Sequence, residues 1–422
     1  MPDQETERPP RASGAPKLGH TFGLLYPLAF LGSFVTFVPL LSVLLPLKAA
    51  ALSPADRVAV LSHSLLAGAL VASVGNLLVG TASDLTYRRV RTRRPWILIG
   101  LLLLAIGYAC FGAALRFPEL LGALVILQIS FNMILAPLGA VLGDHVEDAR
   151  KGRVSALLNL APPIATGVAA LTALPFFYGA TSRLMILLLL GIGLMAPFLF
   201  SKEYRSARGG SGERSRPAVQ TEAIQTAVGW DFSWFFMSRL MVQVGFWLSV
   251  TYILFFLQDQ VRSDARPAAA TALAQTRFAL LTGSSALFAT LASLFAGIWS
   301  DACGRRRPFV VAGGVAMVGG ALGLASAVEW GLVPVAYVAL QMGHSCFVTV
   351  DMAAAMEILK GSASRGRLLG ILNLTNTLPS IVAPALGVAL LRQPDGYVWL
   401  FVSAAAFMGA GTLAFLPIRS VR

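Results

Sequence analysis

Charged residues are scarce in this sequence, and so are cysteine and histidine. Asp, Glu, Lys and Arg make up 13% of the 422 residues, whereas 56% are hydrophobic. A soluble domain carries about a quarter charged residues, so one water-soluble core is excluded. The cysteines have no disulfide or metal-ligand spacing, and no Walker loop or Ser-His-Asp pattern stands out. We therefore predict no catalytic residues, no metal and no cofactor, and a protein that is not an enzyme.

Long apolar runs fill most of the chain. Runs of about 20 residues have the length of helices that span a bilayer, and backbone polar groups inside lipid must be satisfied within the segment. The sequence therefore predicts an all-α integral membrane protein with twelve transmembrane helices. The predicted helices centre near Val35, Leu70, Leu103, Ser130, Ala165, Leu190, Val244, Thr290, Val318, Gln341, Pro379 and Ala406.

The net charge of +13 has an uneven distribution along the predicted topology. If the amino terminus is cytoplasmic, most of the 33 Lys and Arg residues fall on cytoplasmic segments. The positive-inside rule predicts this asymmetry, so the basic balance reflects membrane topology rather than a nucleic-acid partner. We expect a multi-pass protein of the cell membrane, the bacterial cytoplasmic membrane, with both termini in the cytoplasm.

A polar segment divides the predicted helices six and six. Residues 201–229 contain Gly, Ser, Arg and Glu and are too polar to span a membrane. The predicted organisation is a cytoplasmic tail, a first six-helix bundle, a cytoplasmic linker, a second six-helix bundle and a short cytoplasmic tail, over residues 1–20, 21–200, 201–230, 231–417 and 418–422.

Three stretches of the first half recur in the second half in the same order. The first pair is GTASDLTYRRVRTRRPW at 80–96 and GIWSDACGRRRPF at 297–309. The others are LQISFN with LQMGHS, and GRVSALLNL with GRLLGILNL, which begin at 127, 340, 152 and 366. Ordered repeats of this kind predict two pseudo-symmetric bundles related by an axis along the membrane normal.

The duplicated motif predicts a gate at the cytoplasmic end of each half. Asp84 and Asp301 lie near the negative end of a helix, where an acidic side chain needs a cationic or donor partner. Arginines follow each Asp, and a glycine one turn earlier lets another helix approach closely. The alternative is that most of these arginines are topology anchors. The predicted gate residues are Gly80, Asp84, Arg94, Asp144, Arg153, Gly297, Asp301, Arg305, Arg306, Glu357 and Arg367.

This motif resembles the loop signature of the major facilitator superfamily, Gly-x-x-x-Asp-basic-x-Gly-x-basic-basic. The second copy keeps Gly297, Asp301, Gly304, Arg305 and Arg306, whereas the first has Leu85 after the Asp and Tyr87 in place of the later Gly. The resemblance extends over the whole chain and implies the fold of that superfamily. It also implies transport by rocking of the two halves.

Shorter stretches resemble the glycoside–pentoside–hexuronide symporters and the sucrose-type carriers. They are NLLVGTASD, RRPWILIG and SRLMVQVGFWLSVTYILFFLQD, at 76–84, 93–100 and 238–259. This resemblance implies a sugar or glycoside as the solute. The sodium-type symporters carry acidic residues in the second span, where this chain has His63 and Asn76, so sodium coupling of that kind is not expected.

Polar side chains inside the predicted spans are the candidates for substrate binding, because they are costly in lipid and transporter sites lie between the halves. Amides also join membrane helices, so helix association is the alternative for Gln128, Asn132 and Gln341. Arg239 needs an acceptor or an anionic ligand, and it pairs with another helix if Asp231 is too far along its own. The full set is Asn76, Gln128, Asn132, Arg239, Gln243, Gln341 and Ser345.

The candidates for proton coupling are His63, His344 and Asp351. Asp351 is the deepest carboxylate of the predicted spans, and His344 lies two turns away on the same face. A path through water between these two groups is one interpretation. The alternative for His63 is a packing or hydrogen-bonding role.

The leading functional hypothesis is a secondary or facilitative transporter of a small polar solute, a sugar or glycoside, with a proton as the candidate co-transported ion. An exporter of drugs or metabolites by proton antiport is the first alternative. A non-transporting sensor or assembly factor with the same fold is the second. The expected partners are the solute, membrane lipid and that proton.

Overall fold

The computed structural model describes residues 20–90, 92–146, 154–155, 157–176, 179–201, 223–261, 267–327, 329–359 and 365–421. Twelve helices, α1 to α12, account for most of these residues. They are His20–Pro39 continued by Leu40–Leu44 and Leu45–Leu52 (α1), Arg57–Val90 (α2), Arg94–Ala113 (α3), Phe117–His145 (α4), Ala161–Ala173 (α5), Ala180–Phe200 (α6), Ala223–Thr251 with Ile253–Val261 (α7), Pro267–Cys303 (α8), Arg307–Ala325 (α9), Leu332–Ile358 (α10), Arg365–Thr377 with Pro379–Leu391 (α11) and Gly396–Phe415 (α12).

The helices have the length and composition of membrane spans. Among the described residues, eleven helices are long and apolar enough to cross a bilayer, and α5 is a shorter apolar helix. Each predicted centre lies within one of the twelve helices, so the all-α membrane fold is confirmed. The chain is a multi-pass membrane protein.

The two sets of six helices have the same pattern of neighbours. In the first set α1 packs on α5 and α6, and α4 packs on α2 and α3. In the second set α7 packs on α11 and α12, and α10 packs on α8 and α9. We call α1 to α6 the first half and α7 to α12 the second half. The duplication in the sequence therefore corresponds to a repeated arrangement of helices in the structure.

Glycines permit close helix crossings in each half. In α3, a Cβ added to Gly107 would lie 2.8 Å from the Leu127 side chain of α4. In α9, a Cβ added to Gly320 would lie 2.5 Å from the backbone oxygen of Ala336 in α10. Small residues at these positions let the helix backbones approach, which is how membrane helices gain packing energy.

The close contact at Gly320 gives a sharp packing prediction. We expect Gly320→Ala to destabilise the protein by about 1–3 kcal/mol, because the added methyl group meets fixed backbone atoms. The neighbouring Gly319 is a matched control, since a Cβ there would meet nothing within 4 Å. Gly319→Ala should leave stability unchanged or raise it by up to about 1 kcal/mol. Unfolding of both variants in detergent tests this account of the crossing, which equal effects would contradict.

The most extensive contacts between the halves are two symmetry-related ones, α2 with α11 and α5 with α8. α2 contacts the second segment of α11, Pro379–Leu391. We call the end of the molecule that carries residues 92–93 and 304–306 the motif end, and the other end the opposite end. Residues 379–391 form the part of α11 farthest from the motif end, so this contact joins the halves toward the opposite end.

Candidate functional site

A cavity of about 510 Å³ lies between the halves, lined by residues of α1, α2, α4, α7 and α11. This volume is in the range of small-molecule sites. Its polar lining consists of amides and hydroxyls, Ser64, Ser73, Asn76, Gln128, Asn132, Thr251, Asn373, Thr377 and Ser380. Among the described residues that line it none is charged. The cavity can therefore offer hydrogen bonds, but it offers no counter-ion from its walls.

Two glycines of α2 make room for the amides of α4. A Cβ on Gly68 would lie 3.0 Å from Gln128 Nε2, and a Cβ on Gly75 would lie 3.0 Å from Asn132 Nδ2. The glycines are seven residues apart and the amides four apart, so each pair lies along one helix face. The two predicted residues Gln128 and Asn132 thus share one cavity wall.

Aromatic rings form the apolar part of the cavity. Phe37 and Phe131 stack with ring centroids 3.8 Å apart and an angle of 9° between the planes. Trp247 of α7 lines the cavity as well. A flat ring face beside amide groups suits a solute with one apolar face and polar edges.

The α11 side of the cavity was missed by the sequence analysis. Asn373, Thr377 and Ser380 line the cavity at one helix face. Asn373 belongs to the repeated stretch GRLLGILNL, where an Asn stands in each copy, and that repetition was the available signal.

A buried ion pair lies within the second half. Arg239 of α7 pairs with Asp351 of α10, and Arg239 Nη2 donates to Asn376 Oδ1 of α11 at 3.2 Å. Arg239 is 7% exposed and Asp351 1% exposed. The structure thus brings a substrate candidate and a proton-coupling candidate together across two helices. Asp231 accepts hydrogen bonds instead from the backbone N–H groups of residues 419 and 420.

A second polar contact lies on the same two helices. Gln243 Oε1 of α7 is 2.6 Å from His344 Nε2 of α10, and the His344 ring stacks on Phe246 at 3.4 Å. Gln243 is one turn from Arg239 and one turn from Trp247, so polar groups follow one α7 face from the ion pair to the cavity.

Three predicted residues lie elsewhere. His63 is exposed on α2 beside Phe117, with ring centroids 6.4 Å apart, and does not line the cavity described above. Gln341 donates from Nε2 to Tyr337 OH within α10, and Ser345 accepts from Thr349 through its backbone oxygen. Successive residues of an α-helix point about 100° apart around the helix axis. The prediction placed His63 within a span but did not determine which side of the helix it faces.

In the first motif copy, Asp84 pairs with Arg93. Arg93 Nη2 lies 2.8 Å from Asp84 Oδ1, and Nη1 donates to Ser83 Oγ at 2.9 Å. The prediction placed Arg94 in this gate, but Arg94 lies over the Phe200 ring of α6. Alignment of the copies on their Arg-Pro pair equates Arg93 with Arg306, which is the signal that identifies the correct arginine.

The second copy repeats this arrangement and extends it. Arg306 Nη1 donates to Asp301 Oδ1 at 2.5 Å and to Ser300 Oγ at 2.7 Å, and Nε donates to Glu357 Oε1 at 3.4 Å. Gly304 has a φ of 60°, the left-handed region that favours glycine. The first copy lacks this glycine, and α2 continues as a helix through Tyr87 to Val90. The Arg93 side chain then extends back along the chain to Asp84.

The remaining gate candidates have different positions. Arg305 is exposed. A Cβ on Gly80 would meet nothing within 4 Å and one on Gly297 only Thr349 Cγ2 at 3.5 Å, so neither glycine makes the predicted close approach in this state. In this structure the described hydrogen bonds between the halves lie toward the opposite end. The side chains of Asp144 and Arg367, and all of Arg153, lie outside the described residues.

An ion pair joins the halves at the opposite end. Arg57 at the start of α2 pairs with Asp259 near the end of α7, and Arg57 Nη1 donates to Gln258 Oε1 at 3.1 Å. Tyr397 OH donates to Asp259 Oδ2 at 2.8 Å, and the Arg57 guanidinium lies 4.9 Å from the Phe255 ring centroid. This cluster closes the opposite end at the α2–α7 junction.

Further hydrogen bonds continue this contact toward the cavity. Ser62 Oγ and Tyr252 OH are 2.6 Å apart, and Tyr252 OH lies 3.1 Å from the Pro384 oxygen. Arg183 of α6 donates to Gln275 Oε1 of α8 at 3.1 Å. Three of these contacts link the halves at the opposite end: Arg57–Asp259, Ser62–Tyr252 and Arg183–Gln275. The Tyr252–Pro384 bond lies within the second half. Links at the opposite end are the arrangement expected when a central cavity opens toward the motif end.

Comparisons with known proteins agree on the fold. The profile of the Major Facilitator Superfamily matches residues 265–422, the part from α8 onward. A bacterial homologue of the human lysosomal transporter Spinster, in an inward-facing and unoccupied conformation, aligns with TM-score 0.62, 14% identity and 94% of each chain covered. No curated protein sequence gives a match.

Two further solved structures are similar to this chain. The nucleoside transporter NupG has TM-score 0.65 and 13% identity over 94% of this chain and 99% of that chain. A POT family transporter in complex with 5-aminolevulinic acid has TM-score 0.67 and 14% identity over 94% and 95%. The chain therefore has the fold of major facilitator transporters, and identities this low carry no information on its solute.

Proposed function

We propose that this protein is a secondary transporter of a small neutral polar solute, with a sugar or glycoside as the solute class. The observation that carries the proposal is the cavity between the halves, whose described walls combine amides, hydroxyls and stacked rings without a charged group. Such a lining suits hydroxyl groups on a ring and gives no fixed charge for an ionic solute. The protein performs no covalent chemistry on the solute.

The proposed mechanism is alternating access by rocking of the two halves. The bonds at the opposite end, above all Arg57 with Asp259, break when that side opens. The motif pairs Asp84–Arg93 and Asp301–Arg306 hold the motif-end loops in place, and they meet the other half when that end closes. We place the motif end in the cytoplasm of a cell, with both termini on that side.

Asp351 is the proposed proton-coupling group. It is buried against Arg239, and Asn376 is the second partner of that guanidinium. A proton on Asp351 removes one charge of the pair and frees Arg239 to bind elsewhere. His344, held by Gln243 and Phe246, is the nearest other titratable group on the same α10 face. The symmetric position in the first half holds no such pair among the described residues.

Counterflow in proteoliposomes tests the proposed function. Vesicles with purified protein would be loaded with unlabelled sucrose, maltose, melibiose, glucose, uridine or a dipeptide, and the matching labelled solute would be added outside in trace amount. Counterflow requires no ion gradient, so it does not depend on the coupling ion. We expect transient accumulation of a neutral ring solute.

The panel separates the proposal from its alternatives. Accumulation of the dipeptide alone would contradict the proposed solute class, because a dipeptide carries two charged termini and the described cavity walls carry no charge. Accumulation of no panel solute, with protein shown to be folded, would favour the exporter of drugs or metabolites. Protein-free liposomes give the background for each solute.

The exposed motif pair gives a prediction that separates transport from stability. The Asp301 side chain is 71% exposed, so its pair with Arg306 contributes at most about 1 kcal/mol to folding. We expect Asp301→Asn to leave the unfolding midpoint nearly unchanged and to slow counterflow several-fold. Asp56→Asn replaces an exposed carboxylate at the opposite end and is the control: it should change neither the unfolding midpoint nor the rate of counterflow. Wild-type transport by Asp301→Asn at equal abundance would show that the pair has no gating role.

A further inference from the structure

Two buried polar atoms at the cavity wall have no hydrogen-bond partner among the described residues. They are Gln128 Oε1 on α4 and Ser64 Oγ on α2. Gln128 is 7% exposed and Ser64 1% exposed, and both residues line the cavity. A buried polar group left without a partner destabilises a protein by about 1–3 kcal/mol. Native proteins contain few such groups, so two at one wall call for an explanation.

The two groups are neighbours in space. The Gln128 amide fits against Gly68, because Nε2 lies 3.0 Å from the position a Cβ would take there. Ser64 is four residues before Gly68 and so lies one helical turn away on the same α2 face. One turn rises about 5.4 Å, so the two groups are separated by roughly that distance along α2. Two polar groups of one small molecule match this spacing.

A role in helix association does not explain the Gln128 amide. Asn132, one turn along α4, satisfies its Nδ2 with the backbone oxygen of Gln128 at 2.9 Å. Tyr26 OH donates to the backbone oxygen of Leu138 across two helices at 2.8 Å. These are structural hydrogen bonds of this half, and Gln128 Oε1 makes no such bond within the described chain. Its acceptor capacity is left for a molecule in the cavity.

We propose that Gln128 and Ser64 are specificity-determining residues, which accept hydrogen bonds from two donor groups of a neutral ring solute. The inference rests on the proposed function and narrows it. The solute carries two hydroxyl or N–H groups about one helical turn apart, and its flat face lies against Phe131. A solute that lacks one donor leaves the buried acceptor unpaired, which is the strongest basis for rejection that a binding site has.

The first test is the thermal stability of Gln128→Met without any solute. Methionine keeps the length of the side chain and removes the unpaired acceptor. We expect an unfolding midpoint equal to or above that of the wild type, because no hydrogen bond is lost and a buried unsatisfied group is removed. Tyr26→Phe is the control and should lower the midpoint. A lower midpoint for Gln128→Met would assign the amide to helix association and overturn the inference.

The second test is counterflow with the panel sugar that the wild type exchanges, together with its monodeoxy analogues. We expect Gln128→Met to raise the half-saturating concentration about tenfold or more, and one analogue to do the same with wild-type protein. With Gln128→Met, that analogue should have the same half-saturating concentration as the parent sugar, because the substitution has already removed the same hydrogen bond. Tyr26→Phe should saturate as the wild type does.

The two tests distinguish the roles of Gln128 and Ser64 from the transport function itself. Wild-type saturation by Gln128→Met, or equal losses with every analogue, would overturn the inference and leave the transporter proposal intact. Failure of the wild type to exchange any neutral solute would overturn the proposed function itself, and this inference with it.

Discussion

Replacing either partner of the Arg239–Asp351 pair is expected to destabilise the protein by about 3–5 kcal/mol. Both side chains are more than nine-tenths buried, so each single substitution leaves an uncompensated charge in a low-dielectric interior. Asp351→Asn and Arg239→Met remove one charge each. The double variant buries no charge, and we expect it to lose no more stability than one single variant. Reversible unfolding in mixed micelles would measure the coupling in a double-mutant cycle.

The exposed motif pair is the matched comparison for this cycle. Asp301→Asn breaks a pair whose carboxylate faces solvent, and it should cost less than about 1 kcal/mol. Additive effects of the Arg239 and Asp351 substitutions would show that the two groups do not interact in solution.

The folded double variant also tests proton coupling. We expect Arg239→Met with Asp351→Asn to retain counterflow, because that exchange needs no ion gradient, and to lose accumulation driven by a pH gradient. Uphill accumulation by this variant would contradict the coupling role of Asp351.

The sequence predicted the twelve helices because span length and hydropathy are set by the bilayer rather than by tertiary contacts. The halves were predictable for a similar reason, since a duplication leaves its motifs in order. The central position of Gln128 and Asn132 followed from the cost of polar groups in lipid. Each of these properties depends on residue type and spacing alone.

Partner choice could not be predicted in the same way. Arg57 and Asp259 are 202 residues apart and meet because α2 begins where α7 ends. Arg93 rather than Arg94 pairs with Asp84, and the equivalent Arg306 pairs with Asp301 in the second copy. His63 faces away from the cavity although its neighbours Ser62 and Ser64 are buried, a difference of one residue in helical phase.

Rocking of the two halves, as proposed above, requires the contact between α5 and α8 to open during transport. Ala170 and Gly283 mark this contact, since a Cβ on Gly283 would lie 3.5 Å from the Ala170 Cβ. A disulfide requires a Cβ separation of about 3.5–4.5 Å, and the separation at these positions falls in that range. The native cysteines Cys110, Cys303 and Cys346 would be replaced by alanine.

The decisive measurement is counterflow by Ala170→Cys/Gly283→Cys before and after oxidation. The account predicts that oxidation abolishes exchange, that a reductant restores it, and that each single cysteine variant is insensitive to both. Undiminished exchange by protein whose cross-link is shown to be complete would contradict the rocking of the halves, and with it the proposed mechanism.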